Sequence, residues 1–236
     1  MYYAIILSGG IGTRMKMNGF PKQYIEVNGK PILIYTLERF ENCREIDGII
    51  IVAAKEWHDQ IRKWLIQRRI SKFLAFALPG EQRQESILYG LRECLRFNPS
   101  ENDVVIIHDA VRPLVSERLI TECINNAKQY GGCMPILPVN DTIYQSIDGK
   151  DITSLLDRKT LFAGQSPEAF FLLEYLKLNE EISREELNAY KGTSEIAFKN
   201  GINIRLIPGE NTNYKITTVE DLERFRLNIE NGASEV

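Results

Sequence analysis

The sequence predicts an α/β protein: a mostly parallel sheet, helices on both faces, and a protruding β-arm. Three observations predict it. Apolar runs at 2–7, 48–54, 73–78 and 103–108 are too continuous to have one solvated face, as strands covered on both sides are. A loop and then helix-period residues follow these runs, the strand–loop–helix order that right-handed parallel crossovers produce. From Asn140 the pattern becomes polar–apolar alternation around Asp148-Gly149, the mark of a hairpin with little core of its own.

The 236 residues suit one domain, 1–236, with the arm at about 140–160. Net charge is −3, so no broad basic field favours nucleic acid, and an anionic ligand must be met by a few local cations. No apolar run approaches the roughly 20 residues that cross a bilayer, and the N-terminus runs directly into a strand. A cytoplasmic protein with no membrane partner is expected. Cys43, Cys94, Cys123 and Cys133 lack close paired spacing and there are only two histidines, so small core residues are expected and not a zinc site or disulfide framework.

The first strand empties into Leu7-Ser8-Gly9-Gly10-Ile11-Gly12-Thr13-Arg14-Met15, continued by Pro21-Lys22-Gln23-Tyr24. Glycines directly after a buried strand let backbone N–H groups close on a phosphate where a Cβ would obstruct. Arg14 adds a planar fork and Lys22 a mobile point charge. The segment therefore reads as a triphosphate grip, against the alternative of a loop that only needs flexible residues. A P-loop is excluded because no Gly-Lys-Ser/Thr follows, and a dinucleotide fingerprint because Met15 stands where its third glycine belongs.

Pro31 suits a first helical position ahead of Leu33, Leu37 and Phe40. Trp57, Ile61, Trp64 and Leu65 mark a helix face, the tryptophans as core anchors or as a stacking surface. The strand at 73–78 ends in Pro79-Gly80-Glu81-Gln82-Arg83-Gln84-Glu85-Ser86, either a ligand-facing helix start or an ordinary solvated first turn. The strand at 103–108 runs into Asp109, and open α/β sheets bind ligands at such carboxyl ends. Ser116 caps a helix that Gly131-Gly132 breaks, and 133–139 returns as strand. A helix is expected around 172–176, a solvated glutamate-rich helix or linker at 179–187, and a strand at 202–208. Thr218 caps a last helix with Leu222, Phe225 and Ile229 inward, and the tail beyond Asn231 is expected to fray.

Taken together, Gly9-Gly10-x-Gly12-x-Arg14-Met15 and Pro21-Lys22-Gln23 resemble the opening of the cytidylyltransferases that activate polyol phosphates. His108-Asp109-Ala110-Val111-Arg112-Pro113 matches that family's His-Asp-Ala-x-Arg-Pro. Gln165-Ser166-Pro167-Glu168-Ala169-Phe170 is similar to its Gln-Thr-Pro-Gln-x-Phe, with serine for threonine and glutamate for glutamine. Asn213-Tyr214-Lys215-Ile216-Thr217 is similar to its Asn-Ile-Lys-Val-Thr.

The resemblance implies a Rossmann-like, GT-A-like nucleotidyltransferase sheet, with CTP held by Leu7, Ser8, Gly9, Gly10, Gly12, Thr13, Arg14, Lys22, Gly80, Arg83, Ser86, Asp109, Ala110 and Lys215. It assigns the polyol phosphate to Asp109, Arg112, Thr142, Arg158, Thr193 and Thr217, and a magnesium ion or another divalent cation to Asp109. In this family the arm crosses to a twofold partner, so a homodimer is expected, with Thr142 and Arg158 delivered to the neighbouring site. The alternative for that segment is a surface hairpin.

Two acceptors compete: D-ribitol 5-phosphate, of teichoic acid and capsule synthesis, and 2-C-methyl-D-erythritol 4-phosphate, of isoprenoid synthesis. The spacer from Lys16 to Phe20, Val111 and Gly164 resemble the ribitol enzymes, and Tyr190 to Ser194 departs from the erythritol pattern. The segment from Gly80 to Ser86 is closer to the erythritol enzymes.

The implied reaction joins two anions and needs no general base, because a phosphate monoester is already nucleophilic. Its difficulty is positioning and charge stabilisation, for which Arg14, Lys22 and Lys215 are the catalytic candidates, with magnesium bridging the triphosphate. His108 is expected to be a packed strand end. A sugar-1-phosphate nucleotidyltransferase and a non-catalytic nucleotide-binding protein on the same fold are the other readings.

Overall fold

The computed structural model describes residues 1–10 and 20–232. β1 (Tyr2–Leu7) is followed by a 3₁₀ turn at Lys22–Tyr24, the short strands β2 (Glu26–Val27) and β3 (Lys30–Pro31), and α1 (Ile32–Asn42). Asn28 and Gly29, both at positive φ, turn β2 into β3. Pro31 lies one residue outside the helix, as its extended N-cap, because it also pairs with Glu26.

β4 (Gly48–Val52), α2 (His58–Gln67), β5 (Phe73–Ala77), α3 (Arg83–Cys94), β6 (Val104–Asp109) and α4 (Glu117–Tyr130) continue the alternation. Ser116 accepts the Leu119 N–H at the start of α4, and Gly131 ends it at φ +99°. Next come β7 (Gly132–Pro138), the arm strands β8 (Tyr144–Gln145) and β9 (Ser154–Leu155), β10 (Phe162–Gly164) and β11 (Glu168–Phe171). The chain closes with α5 (Leu172–Glu181), α6 (Arg184–Ala189), α7 (Thr193–Lys199), β12 (Ile204–Pro208) and α8 (Val219–Glu230), the last opened by a capping box between Thr218 and Asp221.

The sheet order is β10-β7-β11-β6-β1-β4-β5, with β12 along β7. β1 pairs in parallel with β4 and β6, β4 with β5, and β12 with β7. β10 and β11 run antiparallel to their neighbours. Side chains alternate across the strands. Ala4, Ile6, Ile49, Ile51, Val104 and Ile106 meet α1, α2 and α4, while Tyr3, Ile5, Ile50, Val52, Val105 and Ile107 meet α3, α5 and α7. Both faces are apolar because both are covered, which is why the runs do not alternate. α8 packs on α1 and the loop after β6 as a third cluster around Phe225 and Ile216.

Trp57 and Trp64 pack against Tyr24, with ring centroids 4.2 and 5.9 Å apart, as partly buried anchors. The expectation of a solvated 179–187 segment fails at both ends: Asn179 is fully buried and Leu187 nearly so, because α5 and α6 cover α3. The arm pairs through only two residues on each side, a smaller ladder than the alternation suggests. Among the described residues, no helix is long and apolar enough to cross a membrane. Residues 233–236, part of the expected fraying tail, lie outside the described residues.

Candidate active site

In the register of the sheet, Leu7 is opposite both Val52 and Asp109, so the carboxyl ends of β1, β4 and β6 finish at one level. A cavity of about 470 Å³ opens there. Leu7 and Val52 contribute apolar wall, and Gly9, Gly10, Lys22, Gly80, Arg83, Ser86, Asp109 and Lys215 the polar rim. Gln23 also lines it, donating from Nε2 to the Ser8 carbonyl at 2.6 Å and to the Gly10 carbonyl at 2.9 Å. That side chain braces the glycine turn from behind.

The two glycine loops touch. A Cβ on Gly9 would fall 2.4 Å from the Pro79 Cβ, and one on Gly80 2.5 Å from the Glu85 Cβ, so larger residues would push the walls apart. Ser86 closes the second loop: its hydroxyl accepts the Gly80 N–H at 2.9 Å and donates to the Gln82 carbonyl at 3.1 Å. Arg184 of α6 pairs with Glu85 at 2.7 Å and Glu81 at 3.1 Å, and Gln84 donates to Tyr175 and Asn179 of α5.

Beside this cavity lies a second, of about 380 Å³, and the two share Arg83, Asp109 and Lys215. Asp109 receives Lys215 Nζ at 2.9 Å, Arg83 Nη2 at 3.6 Å and Arg112 Nε at 3.6 Å. Burial alone would raise the Asp109 pKa, but Arg83, Lys215 and Arg112 together outweigh it and hold the carboxyl well below the usual range. Lys215 reaches this point because the Ile216 N–H binds the Val111 carbonyl at 2.9 Å, stitching its segment to the loop after β6. Lys22 Nζ donates to the Ile216 carbonyl at 2.7 Å, and Arg112 Nη1 to that of Asn213 at 2.7 Å.

The structure therefore brings Leu7, Gly9, Gly10, Lys22, Gly80, Arg83, Ser86, Asp109 and Lys215 to the first cavity and Arg112 to the second. Gly12, Thr13 and Arg14 lie outside the described residues. Six further predicted residues line neither cavity. Ser8 is buried behind the turn with its hydroxyl on Tyr24, and Ala110 is buried with its carbonyl taken by Thr36. Thr193 is fully buried and accepts Arg83 Nη1 at 2.5 Å, so it orients that arginine from behind. Thr217 donates to the Lys215 carbonyl and takes the Asp221 cap. Thr142 and Arg158 sit exposed on the arm, off both cavities of their own chain.

Sequence reasoning missed Gln23 and Glu168 as wall residues. The signal for Glu168 was present: a carboxylate opening an otherwise apolar strand. A group of three or more His, Cys, Asp or Glu side chains able to hold a metal is absent among the described residues. Among the described residues, Asp109 is the one carboxylate shared by the cavities, and three cations surround it. That donor set fits a divalent cation carried in on phosphate oxygens with water, not one caged by protein ligands.

His108 is fully buried, with Nδ1 taking the Ser166 hydroxyl at 3.1 Å and Nε2 donating to the Arg112 carbonyl at 3.1 Å. Burial pushes its pKa down to about 4. Both nitrogens are engaged and the ring is neutral at physiological pH, so it is no proton shuttle. The unfolded chain binds this proton near pH 6.5 and the folded chain near 4, so stability is lost as pH falls through that window. The loss is on the order of 3 kcal/mol, set by the difference between those two values. Thermal denaturation from pH 7 to 4.5 should show this slope, and His108→Gln should flatten it; an unchanged slope would assign the effect to other groups.

The family model for IspD, 2-C-methyl-D-erythritol 4-phosphate cytidylyltransferase, matches residues 2–230. The ribitol-5-phosphate cytidylyltransferase of Vibrio parahaemolyticus is 34% identical over 232 residues, covering 98% of this chain and 96% of that protein. The 2-C-methyl-D-erythritol 4-phosphate cytidylyltransferase of Geobacillus thermodenitrificans is 35% identical over 223 residues, covering 94% and 93%. The crystal structure of 4-diphosphocytidyl-2C-methyl-D-erythritol synthase from Anaerococcus prevotii superposes with a TM-score of 0.80 at 25% identity, covering 97% of this chain and 96% of that one. Proteins named for either acceptor match at nearly equal identity and over nearly the full length, and the fold superposes on a solved structure over nearly the whole chain: the chain belongs to the IspD cytidylyltransferase family.

Proposed function

We propose that this protein transfers a cytidylyl group from CTP to D-ribitol 5-phosphate, releasing pyrophosphate. The observation that carries the transfer is the meeting of two cavities at Arg83, Asp109 and Lys215. Two anionic substrates must be brought into contact, and cations common to both cavities offset their repulsion. The triphosphate lies against Gly9, Gly10 and Lys22, and the cytidine against the loop from Gly80 to Ser86. The acceptor occupies the second cavity beside Arg112. An acceptor phosphate oxygen attacks the α-phosphorus in line, and the bond to the β-phosphate oxygen breaks. Lys22 and Lys215 stabilise the charge that develops, and no residue has to remove a proton.

Magnesium, when bound, would shield the triphosphate, with Asp109 as its one protein carboxylate. The arm supplies Thr142 and Arg158 to a twofold partner, making the working unit a homodimer. CTP is a cytoplasmic metabolite, and the reaction is placed there.

Ribitol is favoured by the spacer from Lys16 to Phe20, by Val111 in the wall of the first cavity and by Gly164 in that of the second. Methylerythritol phosphate is the second reading, supported by the segment from Gly80 to Ser86 and the 35% identical relative of that name. Both acceptors present the same phosphate, and one branch methyl is worth only about 1–3 kcal/mol, whereas unmatched buried polar groups discriminate more strongly. Pyrophosphate release should be measured over a panel of alditol and erythritol phosphates with each of the four nucleoside triphosphates. CTP with D-ribitol 5-phosphate is expected to give the highest kcat/KM. A preference for methylerythritol phosphate would overturn the acceptor, and absence of CTP turnover with every acceptor would overturn the transfer.

A further inference from the structure

The second cavity contains a hydrogen-bond acceptor that charge stabilisation does not use. Glu168 opens β11, between β6 and β7, and is 7% exposed. Its Oε2 accepts the Ser194 N–H at 2.8 Å and the Ser194 hydroxyl as well. Both donors come from the first turn of α7, and they fix the plane of the carboxylate. Its Oε1 meets Arg83 Nη2 at 3.7 Å, beyond hydrogen-bond range, so that oxygen keeps its accepting capacity.

The polar neighbours are already engaged. The Ser166 hydroxyl donates to His108 Nδ1, and the Gln165 amide donates to the Glu210 and Asn213 carbonyls while its oxygen accepts the Glu210 N–H. Glu168 Oε1 is thus an acceptor on this side of the wall that is open to a ligand, and a buried carboxylate oxygen gains most from a donor that reaches it. Residue 168 is also where the resembled Gln-Thr-Pro-Gln-x-Phe segment has an amide, which could donate as well as accept. A carboxylate can only accept, which restricts the partner to an O–H or N–H group.

Resting on the cytidylyl-transfer reading, we infer that Glu168 is a specificity-determining residue, its Oε1 accepting a hydrogen bond from one hydroxyl of the acceptor's polyol chain while the acceptor phosphate lies at Arg83 and Lys215. Ser194 holds the carboxylate for this contact, and Arg83 links it to the reacting centre.

The test compares the intact enzyme with Glu168→Gln and Glu168→Asp at saturating CTP, using D-ribitol 5-phosphate and its monodeoxy analogues. Glu168→Gln keeps an oxygen for Ser194 but turns a donor toward the cavity. The KM for D-ribitol 5-phosphate should rise at least about tenfold, the size of one lost charged hydrogen bond, with the KM for CTP unchanged. With one monodeoxy analogue, wild type and variant should become equal, because the hydroxyl that meets Glu168 is already missing. Glu168→Asp keeps the charge beside Arg83 but withdraws the oxygens by a methylene, and should show the same acceptor-selective loss. Near-wild-type behaviour of Glu168→Asp would reduce the role to charge and overturn the inference. An equal penalty across all analogues would do the same. A wild-type enzyme inactive on every polyol phosphate would instead overturn the transfer reading, and the inference with it.

Discussion

Lys215→Ala is expected to lower kcat by roughly 10²–10³-fold, the cost of removing one preorganised electrostatic stabiliser. Lys215 is the ammonium that lines both cavities at the shared point, 2.9 Å from Asp109, so its charge falls where the two anions must approach. Lys22 stands on the triphosphate side, its ammonium at the Ile216 carbonyl, and Lys22→Ala should cost a comparable factor. Neither change should unfold the protein. Asp109 retains Arg83 and Arg112 when Lys215 is lost, so its buried carboxylate is not left without a cation. Turnover by pyrophosphate release, paired with a thermal melt, checks both points. A folded variant with near-normal kcat would remove that lysine from the mechanism.

Replacing residues 140–156 with a short glycine turn is expected to give a monomer whose kcat/KM for the acceptor falls by roughly 10²-fold or more, the cost of losing substrate-positioning groups. The arm has two residues of ladder per strand and leaves Ile147 88%, Ile152 67% and Leu155 67% exposed. A hairpin so small is marginal in water, and its apolar side chains need a surface to cover. Thr142 and Arg158 are exposed on the arm, and neither lines a cavity of its own chain. The deletion is sterically simple because Pro138 pairs with Phe162 at the arm's base. CTP binding should survive, since every residue lining the first cavity lies outside the arm. Sedimentation with acceptor-saturation kinetics tests this, and a wild-type monomer with full turnover would defeat the dimer reading.

The longer strands, most of the longer helices and two of their caps were legible from the sequence by itself, because those signals are local. Continuous apolar runs follow from a sheet covered on both faces, and Ser116 and Thr218 cap helices through bonds to residues three positions away. The glycine loops were legible too, since close packing leaves no room for a Cβ at Gly9, against Pro79 of the other loop, or at Gly80, against Glu85 of its own. What local pattern does not carry is the direction of a side chain once its element is packed. Ser8 and Ala110 stand in motifs and Thr193 in a segment that departs from one, yet their carbonyls or hydroxyls are consumed within the wall. Asn179 reads as solvated amid glutamates, but α3 meets α5 there and Gln84 claims its oxygen. Glu168 reads as a departure within a strand, and its role depends on Ser194 of α7 and Arg83 of α3. Only the tertiary structure decided that Arg83, Asp109 and Lys215 share one point, because three loops distant in sequence end at the same edge of the sheet, where long-range packing sets distances that no spacing along the chain encodes.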